Sequence, residues 1–268
     1  YLIPDFAELK IQTLFEGLKQ AFFSLSLGMG TLMTYGSYLK KNENITSSVV
    51  AISATDTSVA FLAGLMVFPL VHFLQFKLQI TEVATAGPPL IFIVLPQIFH
   101  EMGPILGRIV GGLFFLLVCF AALTSTISLL EVPVAYLVDQ KKMSRKKVSW
   151  GIALLIFILG LPIMASQGMI PALNKLVFYK GQDYLVFVSD MCDISLTVGG
   201  CLMCIFITKR WKIQNMHEEL EIGNPGYRNS FLKKYLNFTI QYVCPVLLGV
   251  LSILIIIDKF FGLDRIMG

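Results

Sequence analysis

The chain has 268 residues, of which 56% are hydrophobic and 14% are charged, and its formal net charge is +4. A soluble domain carries about 25% charged residues, so this composition excludes an ordinary globular enzyme and a disordered protein. Apolar stretches run along the whole chain and leave no length for a separate soluble domain. The basic residues lie in the loops between these stretches, so we expect no nucleic-acid partner.

A helix that spans a bilayer needs roughly 20 apolar residues. The stretches of that size, in chain order, cover residues 13–39, 48–76, 106–138, 148–165, 184–208 and 236–261, so residues 1–268 form one transmembrane domain. A further apolar stretch, residues 84–102, contains a Gly-Pro-Pro sequence and is too broken by proline for a clean span. We expect it to fold back into the protein, because irregular backbone at membrane depth must be buried.

Lysine and arginine concentrate in three alternate loops, at residues 40–41, 141–147 and 209–234. Loops rich in positive charge stay in the cytoplasm, which places both ends of the chain outside. An external N-terminus without a signal peptide or a preceding span is physically awkward, so we expect further helices upstream of Tyr1.

The first span would be about 40 Å long as one continuous helix at 1.5 Å per residue. Ser24, Ser26, Gly28 and Gly30 occupy its middle. Serine and glycine at this depth are how transporters unwind a helix and expose backbone groups to a solute. The same small residues also permit a close contact between two helices. The spacing alone favours neither interpretation.

Two other spans carry polar residues. Asp56 lies within the second span, where an ionisable group marks an ion path unless it is a structural aspartate bonded to a neighbouring helix. One helical face of the span 106–138 combines small, hydroxyl and apolar residues, namely Ala121, Thr124, Ser125, Ser128 and Leu129. Hydroxyl oxygens suit a hard cation. Alternatively, they bond back to the carbonyls of their own helix.

Further carboxylates lie near the ends of these spans. Glu131 precedes Pro133, and we expect it to satisfy groups that the proline leaves open. Asp190 and Asp193 lie at the outer end of the span 184–208, where a solvated helix cap is the alternative to a site. The histidines show neither metal-ligand nor catalytic-triad spacing, so we do not expect an enzyme.

Three long segments resemble the neurotransmitter:sodium symporter family, whose bacterial amino-acid transporters are the most similar members. They are FFSLSLGMGTLMTYGSYLKK (22–41), GPPLIFIVLPQIF (87–99) and FAALTSTISLLEVP (120–133). The resemblance implies the all-α leucine-transporter fold, which contains two inverted repeats of five helices. This chain would hold helices six to eleven, the second repeat plus one helix, with a discontinuous first helix and an outer lid loop at 84–102. The first five helices would form the missing partner half.

The resemblance also implies ligand sites on this chain. The first sodium ion would be bound by Ser24 and Asp56, and the second by the Ala121 carbonyl and the hydroxyls of Thr124 and Ser125. The substrate pocket would comprise Phe23, Ser24, Ser26, Met29, Ser125 and Leu129. Within it, the carbonyls of Phe23, Ser24 and Ser26 would meet the substrate amino group.

Three gate residues follow from the same resemblance. Asp193 would be the outer-gate carboxylate and Asp139 the inner-gate carboxylate, each paired with an arginine of the missing half, and Tyr38 the inner-gate tyrosine. Asp56 stands where the family usually has asparagine, and Ala60 stands where chloride-dependent members have serine. We therefore expect transport that does not depend on chloride.

The implied function is sodium-coupled symport of an amino acid by an integral, multi-pass protein of the bacterial inner membrane or plasma membrane. Met29 and Leu129 indicate an apolar substrate, and no cofactor is expected beyond the coupling ions. The alternative is a non-transporting membrane fragment or sensor that lacks the first five helices.

Overall fold

The structure, a computed structural model of the chain, describes residues 11–78, 89–166 and 184–261. Those residues are almost entirely helical. The α-helices are α1 (Ile11–Ser24), α2 (Thr31–Gly36), α3 (Ile45–Leu78), α4 (Leu95–Glu101), α5 (Leu106–Lys141), α6 (Arg145–Met164), α7 (Tyr184–Ile205), α8 (Ile213–Ile222), α9 (Phe231–Phe238) and α10 (Cys244–Phe261). Wider π-helical turns precede α4, α8 and α10, at Leu90–Val94, Phe206–Lys212 and Thr239–Val243.

Within the described ranges, five helical stretches are long and apolar enough to cross a membrane. They are Ile45–Phe73, Leu106–Lys141, Arg145–Met164, Tyr184–Ile222 and Phe231–Ile257. The first span expected from the sequence is not among them, because α1 has 14 residues and α2 has 6. The predicted discontinuous first helix is therefore confirmed.

The predicted lid loop, residues 84–102, is described only in part. Residues 84–88 lie outside the described residues, while residues 90–101 are helical through the π-turn and α4.

One compact unit within the described ranges comprises residues 51–127. Its core packs α4 against α3 and α5 through Val71, Leu95, Ile98 and Phe99, and the rings of Phe99 and Phe114 are 5.4 Å apart. A Cβ atom at Gly107 would overlap the carbonyl oxygen of Phe99. At Gly111, four residues on, a Cβ atom would lie 3.1 Å from the Phe99 ring. This Gly-x-x-x-Gly pair lets α4 approach α5 more closely than side chains would allow.

The second unit comprises, among the described residues, 11–50, 128–166 and 184–261. In it, α7 packs along α10 and against α1, and Leu196, Leu248 and Leu251 are buried. Two basic loops meet here, since a Cβ atom at Gly223 would overlap the carbonyl oxygen of Glu43. This contact agrees with the expectation that these loops share one side of the membrane.

Candidate functional site

The backbone between α1 and α2 leaves the helical path at residues with left-handed conformations. Ser26 has a φ of 52°, and Gly28 and Gly30 each have a φ of 81°. This conformation costs an L residue roughly 1–2 kcal/mol, which explains the two glycines. Ser26 adopts it with a side chain, and such strained residues are concentrated at functional sites.

Backbone hydrogen bonds define the shape of this break. The amide of Ser26 donates to the carbonyl of Phe23 at 3.1 Å, and the amide of Leu27 donates to that of Phe22 at 2.9 Å. A carbonyl oxygen has two lone pairs, so Phe23 can still accept a second hydrogen bond. The Ser26 and Met29 side chains are half-buried, whereas Phe23 and Ser24 are exposed.

The break also packs closely against α7. A Cβ atom at Gly28 would overlap the carbonyl oxygen of Leu196, and one at Gly199 would lie 2.5 Å from the carbonyl oxygen of Gly28. Both interpretations of the small residues therefore hold, since the segment is unwound and is also a tight contact. Gly199 and Gly200 were missed by the sequence interpretation, although a Gly-Gly pair within an apolar helix is a signal for such a contact.

On α5, the hydroxyl of Thr124 donates to the carbonyl of Ala121 at 2.9 Å. These are two of the oxygens that the resemblance assigns to the second sodium ion, and the structure places them side by side. Thr126 makes an equivalent bond to the Ala122 carbonyl at 2.8 Å, although it lies off the predicted polar face. A back-bond to the helix therefore does not by itself distinguish a ligand from an ordinary helical threonine.

The remaining predicted ligands are divided between the two units. Asp56 is half-buried on α3 and, with Ser125, belongs to the first unit. Phe23, Ser24, Ser26, Met29 and Leu129 belong to the second.

A cluster of polar side chains joins α2 and the residues after it to α5 and α6. Tyr35 donates its hydroxyl to Ser128 Oγ, and Tyr38 donates its hydroxyl to Glu131 Oε1, each at 2.6 Å. Arg145 Nη2 lies 2.6 Å from both carboxylate oxygens of Glu131. The carboxylate thus contacts a tyrosine and an arginine, where the sequence had pointed to groups freed by the following proline. Asp139, the predicted inner-gate carboxylate, is exposed near the end of α5.

Both aspartates in the first half of α7 have lysine partners. Asp190 is buried, and its Oδ1 lies 2.9 Å from Lys259 Nζ. Asp193 Oδ2 lies 3.9 Å from Lys19 Nζ, which also pairs with Glu16 at 2.8 Å. A solvated helix cap is therefore the wrong description of Asp190. Neither lysine was singled out from the sequence, although Lys19 is a charged residue within an apolar stretch.

Comparison with known proteins agrees with this helical arrangement. The sequence profile of the Sodium:neurotransmitter symporter family matches residues 1–261. The "Uncharacterized sodium-dependent transporter YhdH" of Bacillus subtilis (strain 168) is 32% identical over 98% of this chain and 54% of its own length. The "Sodium- and chloride-dependent glycine transporter 1" of Xenopus laevis is 26% identical over 77% of this chain and 32% of its own.

A solved structure is similar over most of the chain. The crystal structure of MhsT in complex with L-phenylalanine matches with a TM-score of 0.79 and 33% identity, over 93% of this chain and 54% of that chain. The present chain thus spans about half the length of MhsT and of the Bacillus relative.

These findings confirm the predicted leucine-transporter fold. Together with five apolar helices of membrane length, they identify an integral, multi-pass membrane protein. Its relatives are sodium-coupled transporters and not enzymes. The chain belongs to the sodium:neurotransmitter symporter family.

Proposed function

We propose that the protein containing this chain carries an amino acid with an apolar side chain into the cell together with sodium. The observation that carries the proposal is the break between α1 and α2, where left-handed residues at 26, 28 and 30 turn the backbone out of the helix. Helix ends leave carbonyl and amide groups for which a substrate's charged termini can compete. The similarity to MhsT, described in complex with L-phenylalanine, supports an amino-acid substrate. Met29 and Leu129 would supply an apolar surface for its side chain.

Coupling between sodium and substrate follows if the assigned ligands are shared. Ser24 would belong to both the first sodium site and the substrate pocket, and Ser125 to both the second sodium site and the pocket. A residue that contacts both ligands lets each stabilise the conformation that binds the other, and such coupling of affinities is reciprocal. The second sodium site would gain two oxygens at once from α5, because Thr124 Oγ1 and the Ala121 carbonyl are 2.9 Å apart.

The test compares Thr124→Ala with Thr126→Ala in the full-length transporter, using uptake of labelled L-phenylalanine into proteoliposomes. Both threonines are exposed on α5 and both bond back to the helix, so each variant loses one hydrogen bond of this type. Only Thr124→Ala removes an assigned ligand. A bond to a charged group contributes about 1.5–3 kcal/mol, so we expect the sodium concentration for half-maximal uptake to rise about tenfold or more.

Thr126→Ala should leave the sodium dependence unchanged. Equal sodium dependence in the two variants would remove Thr124 from the sodium site. Substrate class is tested in the same vesicles, where unlabelled leucine should compete for uptake and lysine or aspartate should not.

We further propose that transport is independent of chloride. A sodium ion among neutral oxygens is costly to bury unless an anion lies nearby, and an ionised Asp56 would supply that charge covalently. Ala60, one helical turn further along α3, offers no hydroxyl to an anion.

Uptake in gluconate medium should therefore equal uptake in chloride medium, and Asp56→Asn should weaken the apparent affinity for sodium. Loss of wild-type uptake on chloride withdrawal would overturn the charge-replacement idea. An Asp56→Asn variant with unchanged sodium affinity would remove Asp56 from the site.

A further inference from the structure

A polar cavity of about 520 Å³ lies in the second unit, where α8 is joined to α9. Its described lining contains three cations, Arg228, Lys233 and Lys234, and no carboxylate. His217 and Asn237 also line it. This cavity is separate from the residues assigned to substrate and sodium, and its composition suits an anion.

Buried hydrogen bonds support one wall of the cavity. Tyr227 is fully buried, and its hydroxyl lies 2.7 Å from His217 Nδ1. Burial raises the pKa of the Tyr227 phenol above its usual value near 10, and the carboxylate of Glu221 adds to the rise. The phenol is therefore protonated and can donate to the Nδ1 side of the ring, while Nε2 of the same ring lies 3.4 Å from Asn237 Oδ1. The wall is held in place before any ligand arrives.

The positive charge around the cavity is only partly compensated. Arg228 Nε lies 3.8 Å from Glu221 Oε1, a loose and exposed pair. Lys233 and Lys234 lie in the first turns of α9, where the helix end is itself partially positive, and the first turn contains no acidic residue. The lysine ammonium groups and the N-terminal end of α9 carry charge of the same sign and repel one another. An anion bound between them would relieve that repulsion and would itself be stabilised.

The surface of α9 indicates the source of that anion. Phe231, Tyr235 and Phe238 recur at helical spacing along one face and are 80%, 53% and 60% exposed. Aromatic residues of this kind are enriched where a membrane meets water. Lys233 lies away from this aromatic face, whereas Lys234, four residues before Phe238, borders it. Both lysines lie at the start of the membrane-length stretch Phe231–Ile257, on the side that the charge bias assigns to the cytoplasm.

We propose that this cavity binds the phosphate of an anionic phospholipid headgroup from the cytoplasmic leaflet. Basic pockets at this level between membrane-spanning helices suit such headgroups, and the aromatic face would hold α9 at the interface. A free phosphate ester shares the binding chemistry but would gain nothing from the aromatic face. The proposal does not rest on the assigned substrate or sodium ligands.

The test is native mass spectrometry of the purified protein titrated with phosphatidylglycerol. The Lys233→Gln/Lys234→Gln variant should bind the lipid about tenfold more weakly than wild type. The matched control is Lys146→Gln/Lys147→Gln, which removes the same charge from exposed lysines at the start of α6 and should bind like wild type. Circular dichroism of each variant verifies that the helices are intact.

Two further arms identify the source of the phosphate. Phosphatidylcholine, which has no net charge, should not compete, and neither should inorganic phosphate or glycerol 3-phosphate at millimolar concentration. Equal weakening in the two lysine variants would overturn the proposal, since it would show a general charge effect. Binding of inorganic phosphate or glycerol 3-phosphate with no lipid binding would also overturn it.

Discussion

Gly28→Ala is expected to destabilise the protein more than Gly30→Ala, although both glycines have a φ of 81°. An L residue in this conformation costs roughly 1–2 kcal/mol, and this backbone contribution is the same at both positions. The two sites differ in the space available. A Cβ atom at Gly28 would overlap the Leu196 carbonyl oxygen, whereas the nearest atom at Gly30 is Val132 Cγ1 at 3.4 Å.

The overlap at Gly28 cannot be relieved by rotating a side chain, because its partner is the backbone of α7. Gly199 shows the same approach from the other side, since its Cβ atom would lie 2.5 Å from the Gly28 carbonyl oxygen. Inserting a methyl group into a packed contact costs about 1–3 kcal/mol. Added to the backbone cost, this gives about 2–5 kcal/mol for Gly28→Ala and about 1–2 kcal/mol for Gly30→Ala.

The assay is thermal unfolding of the purified full-length protein in detergent, followed by far-ultraviolet circular dichroism. Titration with labelled substrate would show whether the segment between α1 and α2 still binds it. Gly28→Ala should have the lower midpoint and the weaker binding. If the two variants unfold at the same temperature, the close contact with α7 makes no energetic contribution. If neither differs from wild type, the left-handed conformations do not describe the folded protein.

Two further predictions concern stability. Asp190→Asn should lower the free energy of unfolding by about 2–3 kcal/mol, because it removes the carboxylate from a largely buried ion pair with Lys259. Asp193→Asn should lower it by less than about 1 kcal/mol, because the pair of Asp193 with Lys19 is longer. Chemical unfolding measures the free energy of unfolding of both variants. Equal losses in the two would refute the claim that the Asp190 pair contributes more than the Asp193 pair. The raised pKa of Tyr227 predicts that its contribution to stability is complete below about pH 10 and is lost as the pH rises through the folded-state pKa. Unfolding followed from pH 8 to 11 should show this loss in the wild type but not in Tyr227→Phe, and parallel curves would contradict it.

Local sequence was sufficient to predict the helical, membrane-spanning class and the broken helix. Apolar length identifies a span wherever it occurs, and each long helix of the structure overlaps a stretch defined in that way. The break in the first helix could be predicted because serine and glycine interrupt the first apolar stretch within seven residues, 24–30. Both signals depend only on neighbours along the chain.

Pairings between distant residues could not be predicted in this way. Tyr38 and Glu131 are 93 positions apart, and nothing in either local sequence indicates that their side chains meet. The same holds for Gly28 and Gly199, whose contact depends on how α7 packs against the break. Helical periodicity places a residue on a face, but the partner of that face is a property of the tertiary structure.

Thr124 illustrates why the two interpretations of the polar face on α5 are compatible. Its hydroxyl donates a hydrogen bond to the Ala121 carbonyl, and that bond does not use the lone pairs of the hydroxyl oxygen. The bond therefore holds two oxygens 2.9 Å apart, and the lone pairs of the hydroxyl oxygen face outward from the bond. Under the proposed function, sodium would bind to oxygens that the helix already positions, so little reorganisation is needed when it arrives. Spacing along the sequence could not separate a back-bonded threonine from a sodium ligand, because one pair of atoms can serve as both.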